Sequence, residues 1–311
     1  MPLLYRKRIV LAKTEVTYGV DPTPTGAANA ILVRNLDVTP IDIEYVSRDL
    51  IRPYLGNSDS LVGAKNVKAS FEVELSGSGT AGTAPAYGPL LRACGLSETV
   101  SAGVSVTYAP ISSAFESVTI YVNVDGVLHK VFGARGTVSL ELSAKQIPVY
   151  KFEFTGLYQA VTDTAAPTPT YTGFITPLPV NAANSSGFAL HSYSGLLQSL
   201  SVALGNDVVY RNLVSQESVI ITDRKATGQV TIEAPTIAAK DYFSAANNVT
   251  LGSLALTHGT TAGNKVDIIG TNSVQVASPT YQESDGIVML QMNLNFIPVG
   301  SGNNELSIVV K

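Results

Sequence analysis

The sequence is short of charge. Of its 311 residues, 20 are Lys or Arg and 24 are Asp or Glu, 14% in all, where about a quarter is usual for a soluble domain. An isolated globule hydrates itself with such residues. The deficit therefore implies either a surface largely covered by other subunits or one solvated by Ser, Thr and Asn. A net charge of −4 argues against a protein that grips nucleic acid by its phosphates, and the one dense basic run, Arg6-Lys7-Arg8, reads as part of a solvated arm. Cysteine is nearly absent too: Cys94 stands alone, which excludes an intrachain disulfide. No run approaches the ~20 apolar residues of a membrane helix. The opening MPLLYRKRIVLAK is interrupted by Arg and Lys, unlike the apolar core of a secretory signal. A soluble chain made in a cytoplasm is expected.

Catalytic constellations are missing as well. The three histidines, His129, His191 and His258, lie in separate segments with no H-x-x-x-H or H-E-x-x-H spacing, so neutral strand or surface histidines are expected rather than a metal site. Cys94, in LLRACGL, reads as a packed small residue and not as a nucleophile. GSGTAG (77–82) is rich in glycine but has no phosphate-binding Lys and reads as a flexible loop. No G-x-S-x-G, P-loop or paired carboxylates occur. The expectation is no enzyme, no cofactor and no metal.

What the sequence does have is strands. SFEVEL (70–75), SVTIYVNV (117–124), TVSLEL (137–142), VYKFEFTG (149–156), SLSVAL (199–204), QVTIEA (229–234) and VMLQMNLNF (288–296) alternate with period two and favour β-branched or aromatic residues. Asp125-Gly126 between YVNV and VLHKVF is the preferred pair for a two-residue hairpin turn. Two stretches look helical, Pro85–Leu96 and Ala238–Ala246. From Thr164 to Asn206 runs a stretch of 43 residues without a single charge. It reads either as a linker leading into a strand or as a segment lying across a neighbouring subunit, where charge would be costly to desolvate.

The chain also repeats itself. An offset of 159 residues sets LIRPYLGNSDSLVGAKNVKASFEVEL (50–75) against VYRNLVSQESVIITDRKATGQVTIEA (209–234) without a gap. In each half a helix candidate, a hairpin and a closing strand follow in the same order. GTVSLELSA (136–144) and GTNSVQVAS (270–278) read as the same strand of both copies, differing on the polar face as Glu141 and Gln275. The fold expected is mainly β, two tandem sandwich or barrel units each with one short flanking helix. The boundaries are an N-terminal arm at 1–30, a first unit at 31–160, an uncharged linker at 161–195, a second unit at 196–300 and a C-terminal tail at 301–311.

The alternation leaves each closing strand with a wet face. Either these are ordinary sandwiches with one solvated side per sheet, or the wet faces of many subunits join into one polar wall. In a mildly acidic wall, nucleic acid phosphates would be repelled and would slide rather than stick.

An arm ending in YGVDPTPTGAANAI, the strand ILVRNLDVTPIDIEYVSRDLIRPYLG and the run KASFEVELSGSGTAGTAPAYGPLLRACGL resemble, in that order, the major tail tube proteins of long, non-contractile-tailed bacteriophages. The motifs cover about residues 1–160, and the second half joins through the repeat. The resemblance implies β-sandwich units that close into rings, rings that stack into a tube, and a shared β-barrel lining through which DNA leaves the capsid. Six single-domain copies make such a ring, so two fused units imply a homotrimer with pseudo-sixfold symmetry. A ring of six chains with the second unit outside is the alternative. Implied partners are further copies of the chain, the tape measure, tail terminator and distal tail proteins, and DNA in transit, with no membrane. The implied location is the virion tail, assembled in the host bacterial cytoplasm. On this view Glu72, Glu74, Glu141, Glu153, Glu233, Gln275, Gln291 and Asn293 face the lumen. Residues 2–30 and the loops 50–66 and 209–225 are candidates for contact between rings, as are Arg6, Arg8, Tyr18, Arg48, Arg52, Tyr54 and Arg211. A carbohydrate-binding β-sandwich or adhesin is the other class considered; it needs exposed aromatics, and the chain has no Trp.

Overall fold

In the computed structural model, which describes residues 2–311, the chain is mainly β with three short helices. The first half runs β1 (Arg8–Thr14), α1 (Gly26–Asn29), β2 (Ala30–Ile31), β3 (Arg34–Ser47), β4 (Ser60–Glu74), α2 (Gly88–Ala93), β5 (Leu96–Ser101), β6 (Ser105–Pro110), β7 (Val118–Val124), β8 (Val127–Ser143), β9 (Val149–Tyr158) and β10 (Thr162–Asp163). The second runs β11 (Ser185–Leu190), β12 (Leu197–Ala203), β13 (Asn206–Leu213), β14 (Gln216–Arg224), β15 (Thr227–Glu233), α3 (Tyr242–Asn247), β16 (Leu251–His258), β17 (Val266–Ser284), β18 (Ile287–Phe296) and β19 (Ser307–Val310). All seven strand motifs fall on strands, with Leu75, Ser117, Leu204 and Ala234 one residue beyond the strand ends. Asp125 and Gly126 adopt φ of 47° and 104° in the β7–β8 turn, as a hairpin of that type requires. Both helices are shorter than their sequence patterns. Gly95, at φ 78°, ends α2, and the Asp241 side chain accepts from Ser244 N–H to start α3 later than Ala238.

Each half pairs its strands in the same order. In the first it is β1·β7·β8·β9·β4·β3. In the second it is β11·β16·β17·β18·β15·β12. The pairing also corrects the register of the repeat. Val73 faces Tyr150 and Tyr150 faces Leu140, while the counterpart of Val73, Ile232, faces Leu290 and Leu290 faces Tyr281. Leu140 therefore corresponds to Tyr281, and GTVSLELSA and GTNSVQVAS lie in matching strands but out of step. Among the described residues the sheets do not close into a barrel.

The halves are fused into one sheet. β12 pairs with β8 over Ser199–Ala203 and Ser139–Ser143, so β8 has β7 along one part of an edge and β12 along the rest. β19 then lies between β6 of the first half and β17 of the second. Around this seam Leu96, Val138, Leu140 and Tyr150 meet Val202, Leu204, Ile268, Leu306 and Ile308. They belong to one apolar core that also stacks Phe71, Phe152 and Phe154, with ring centroids 5.9 Å apart. Each such side chain contributes about 1.5–3 kcal/mol when fully buried. At the margin of the seam the Arg224 guanidinium donates to Glu305 Oε1 at 2.8 Å, to Ile111 O at 2.7 Å and to Asn303 Oδ1 at 3.1 Å. A buried ion pair of this kind fixes geometry more than it adds net stability.

The segments read as arm, linker and tail turn out to carry sheet strands. β1 buries Val10, Leu11 and Ala12 against β7. β19 buries Ile308 and Val310 in the seam. The uncharged stretch lies on its own chain: Thr170 N–H donates to Gly26 O at 2.9 Å, Val180 exchanges hydrogen bonds with Lys145 and Gln146 at 2.8 Å, and β11 joins the second sheet. Hydrogen bonds tie the uncharged stretch to its own chain, yet from Thr164 to Pro179 no residue is buried. Glu15 locks the segment after β1 in place. Its carboxylate accepts from Ser117 Oγ and Thr119 Oγ1 at 2.6 Å, from Gly133 N–H at 2.7 Å and from Gly19 N–H at 2.8 Å.

Candidate functional site

Strand alternation sorts the eight strands β3·β4·β9·β8·β12·β15·β18·β17 into a buried side and a polar side. Phe71, Val73, Tyr150, Phe152, Leu140, Leu200, Val230, Met292 and Val276 point into the core. The residues between them form rows across the other face. One row runs Arg34, Glu72, Lys151, Ser139, Ala203, Thr227, Asn295 and Gln275. The next contains Glu74, Val149, Glu141, Ser201, Gln229, Asn293 and Ala277, and a third Ser143, Ser199, Thr231, Gln291 and Thr280. Glu153 shares the face through its pairing with Thr137 and Ser70, and Glu233 through its pairing with Met289. All eight residues singled out for the wet side thus lie on one face of one continuous sheet that crosses from the first half to the second.

The two halves of the face differ in chemistry. On the first, Glu72, Glu74 and Glu141 stand beside cations. Arg34 Nε donates to Glu72 Oε2 at 2.7 Å and lies 4.0 Å from Glu74, and Lys151 Nζ meets Glu141 at 2.6 Å. Partial burial pushes the Glu72 carboxyl up, but the Arg34 hydrogen bond, one from Asn35 and the charges of Arg34 and Lys151 outweigh it, and Glu72 sits below its ordinary value. On the second half Glu233 stands among Gln229, Gln275, Gln291, Asn293 and Asn295. Gln229 Nε2 donates to Asn293 Oδ1 at 3.3 Å, and Gln282 donates to Gln291. Glu153 and Glu233 have no cation within salt-bridge distance among the described residues. Gln275 shares a row with Glu72, not with Glu141, because of the register correction. Arg34, Lys151, Ser139, Ser201 and Asn295 complete the face. Lys151 and Asn295 already follow from the parity of VYKFEFTG and VMLQMNLNF and Ser201 from extending that of SLSVAL, whereas Arg34 needed the β3–β4 register.

A polar cleft of about 440 Å³ opens on this face, lined by Asp37, Lys68, Ser70, Thr137, Glu153 and, from β13, Asn206 and Val208. The β13–β14 hairpin covers the far end of β8 and β9 and is held from below. Arg135 donates to Val219 O at 2.8 Å, and Val219 N–H donates to Tyr18 Oη at 2.6 Å. Burial raises the Tyr18 hydroxyl above its ordinary value.

The seven residues considered for contact between rings are scattered. Tyr18 is occupied inside the chain. Arg8 stacks on Tyr5 at 3.9 Å and donates to Leu36 O at 2.8 Å, and Arg6 is exposed beside it. Arg48 and Arg52 both pair with Asp59, at 2.8 and 3.4 Å, next to Tyr54 at the tip of the β3–β4 hairpin. Ile51 and Leu55 at that tip are fully exposed. Arg211 is exposed near the tip of β13–β14.

The histidines are held individually. His191 Nε2 bonds Val274 O at 2.8 Å, and His258 lies between Ser185 Oγ and Leu178 O at 3.0 Å each. Burial lowers the proton affinity of all three. No group of three or more His, Cys, Asp or Glu among the described residues is placed to hold a metal ion, and no helix is long and apolar enough to cross a membrane. No curated protein matches the chain. The family model described as "Phage tail tube protein" matches residues 6–296.

Proposed function

The chain belongs to the phage tail tube protein family, and on that premise we propose that three copies close into a ring of six alike units, whose joined polar faces line the channel that passes DNA. It is a structural protein of the tail. The observation that carries the proposal is the β8–β12 seam. There the edge of one unit completes the sheet of the other, and the same two edges are left unpaired at the ends of the eight-stranded face: β3 on one side and the last part of β17 on the other. Transferring the seam by the register of the repeat sets residues 35–39 of one copy against 280–284 of the next. Pro40 and Pro279 lie just outside that window, where a missing N–H costs no ladder bond. Tyr281, 64% exposed, would then be covered as its counterpart Leu140 is.

A head-to-tail contact of this kind builds rings when its rotation closes, and closure removes the exposed edges. The lining would carry Glu72, Glu74, Glu141 and Glu153 on three sectors and Gln275, Gln291, Asn293 and Glu233 on the three between. A net acidic surface that holds its own cations repels phosphates and lets DNA slide. The units are taken as 31–160 and 196–300, joined by β1, β11 and β19. The tail is taken as the long, non-contractile type, with tape measure, terminator and distal tail proteins as partners. Averaged electron micrographs of assembled tubes test the proposal: six like units around the channel are expected, and six separate outer domains around each ring would sink the trimer.

A further inference from the structure

Two hairpins of the chain correspond in position, and only one has a partner. The 159-residue offset sets Lys65 against Arg224, and since Lys65 pairs with Ile43 as Arg224 pairs with Asn206, the outer part of β3–β4, residues 43–65, matches β13–β14. β13–β14 lies over the first half, where the Ile221 side chain comes within 3.4 Å of the place a Cβ on Gly95 would take. Gly95 is the residue after the C-cap of α2, with φ 78°, and Val249 is the residue after the C-cap of α3, with φ 54°. The counterpart of Ile221 is Val62. Ile221 is 9% exposed, whereas Val62 and Val249 are 58% and 57% exposed. Two apolar side chains thus stand in water at the places where the covered hairpin makes its contact.

Resting on the ring proposed above, we infer that residues 43–65 of one copy lie over the second half of the next copy, with Val62 against Val249, as β13–β14 lies over its own first half. The occupant is a second copy because the hairpin continues β3: a β3 edge paired with a neighbour's β17 carries the hairpin onto that neighbour and nowhere else. The base of the hairpin is then a clasp within the ring, and only its tip, with Arg48, Arg52 and Tyr54, is left for contacts along the tube.

The test uses the full chain with Val62→Cys and Val249→Cys, joined by a short bis-maleimide. The native thiol, Cys94, is fully buried and stays silent. Covalent dimers and trimers on a denaturing gel, absent from either single variant beyond a dimer, are the expected result. If micrographs show rings and a Val38→Cys, Tyr281→Cys pair cross-links while the Val62, Val249 pair does not, the clasp is wrong and the ring stands. Cross-linking within dilute monomers overturns the clasp as well. If neither pair links copies and no rings form, the ring falls and the clasp with it.

Discussion

Replacing Ile308 by Asp tests whether β19 closes the seam. Ile308 is 5% exposed and packs among Leu96, Leu140, Tyr150, Val202 and Ile268. Removing its side chain forfeits about 2 kcal/mol of burial. A carboxyl there must either ionise in an apolar setting or stay protonated at pH 7; raising its pKa by about three units costs about 4 kcal/mol. The sum, about 6 kcal/mol, is a large part of the 5–15 kcal/mol that holds a typical domain together. β19 should therefore leave the seam, with the midpoint of thermal unfolding falling by more than about 10 °C at the 2–4 °C per kcal/mol usual for chains of this size. Ser307→Asp is the control, because Ser307 points to the opposite, half-exposed side of the same strand. With no Trp in the chain, far-ultraviolet circular dichroism is the readout. Equal melting of the two variants would refute both the face assignment and the role of the strand.

Three further outcomes follow from buried groups. His129, His191 and His258 have proton affinities lowered by burial, so their contribution to stability is complete above the ordinary histidine range near about 6.5 and is lost as pH falls through the lower folded values; urea titrations between pH 7.5 and 5 should show decreasing stability, and a flat profile would contradict this. Glu15→Gln puts an amide among four donors that all need acceptors; it should cost about 3 kcal/mol, two charge-assisted bonds at about 1.5 each, and a loss below about 1 kcal/mol in chemical denaturation would show that the carboxylate is dispensable. Burial pushes the Cys94 thiol well up, so a thiol reagent should find no reactive group in the native protein and one per chain in denaturant.

Much of the fold is legible from alternation because a strand with one dry side has to write it locally. SFEVEL and VYKFEFTG announce both their faces, and the wet residues they name do lie on one face of the sheet. The tight Asp125-Gly126 turn is equally local. Pairing between distant strands is not. Nothing in SLSVAL says that β12 will border β8, since that depends on which edge is free once both sheets exist. The four residues of β19 are too few to show a period. The match of GTVSLELSA to GTNSVQVAS misleads for a related reason: alternating Ser, Thr and aliphatic residues recur in any half-buried strand, and β17 carries a bulge between Ala277 and Thr280 that shifts its count. The strands β1 and β11 within the arm and linker are short and preceded by largely exposed chain, so no long alternation announces them.

The strap of uncharged chain between β10 and β11 has a thermodynamic meaning beyond packing. Bringing two separate units together costs about 4–15 kcal/mol of translational and rotational freedom. A tether replaces that cost with an effective local concentration in the millimolar range for a short flexible connection, and this one is further fixed at Gly26, Lys145 and Gln146. The β8–β12 seam therefore stays shut at any dilution, whereas a contact of equal area between untethered chains would open below its dissociation constant. A single covalent connection makes the β8–β12 seam independent of protein concentration, whereas the proposed β3–β17 junction between copies would remain sensitive to it.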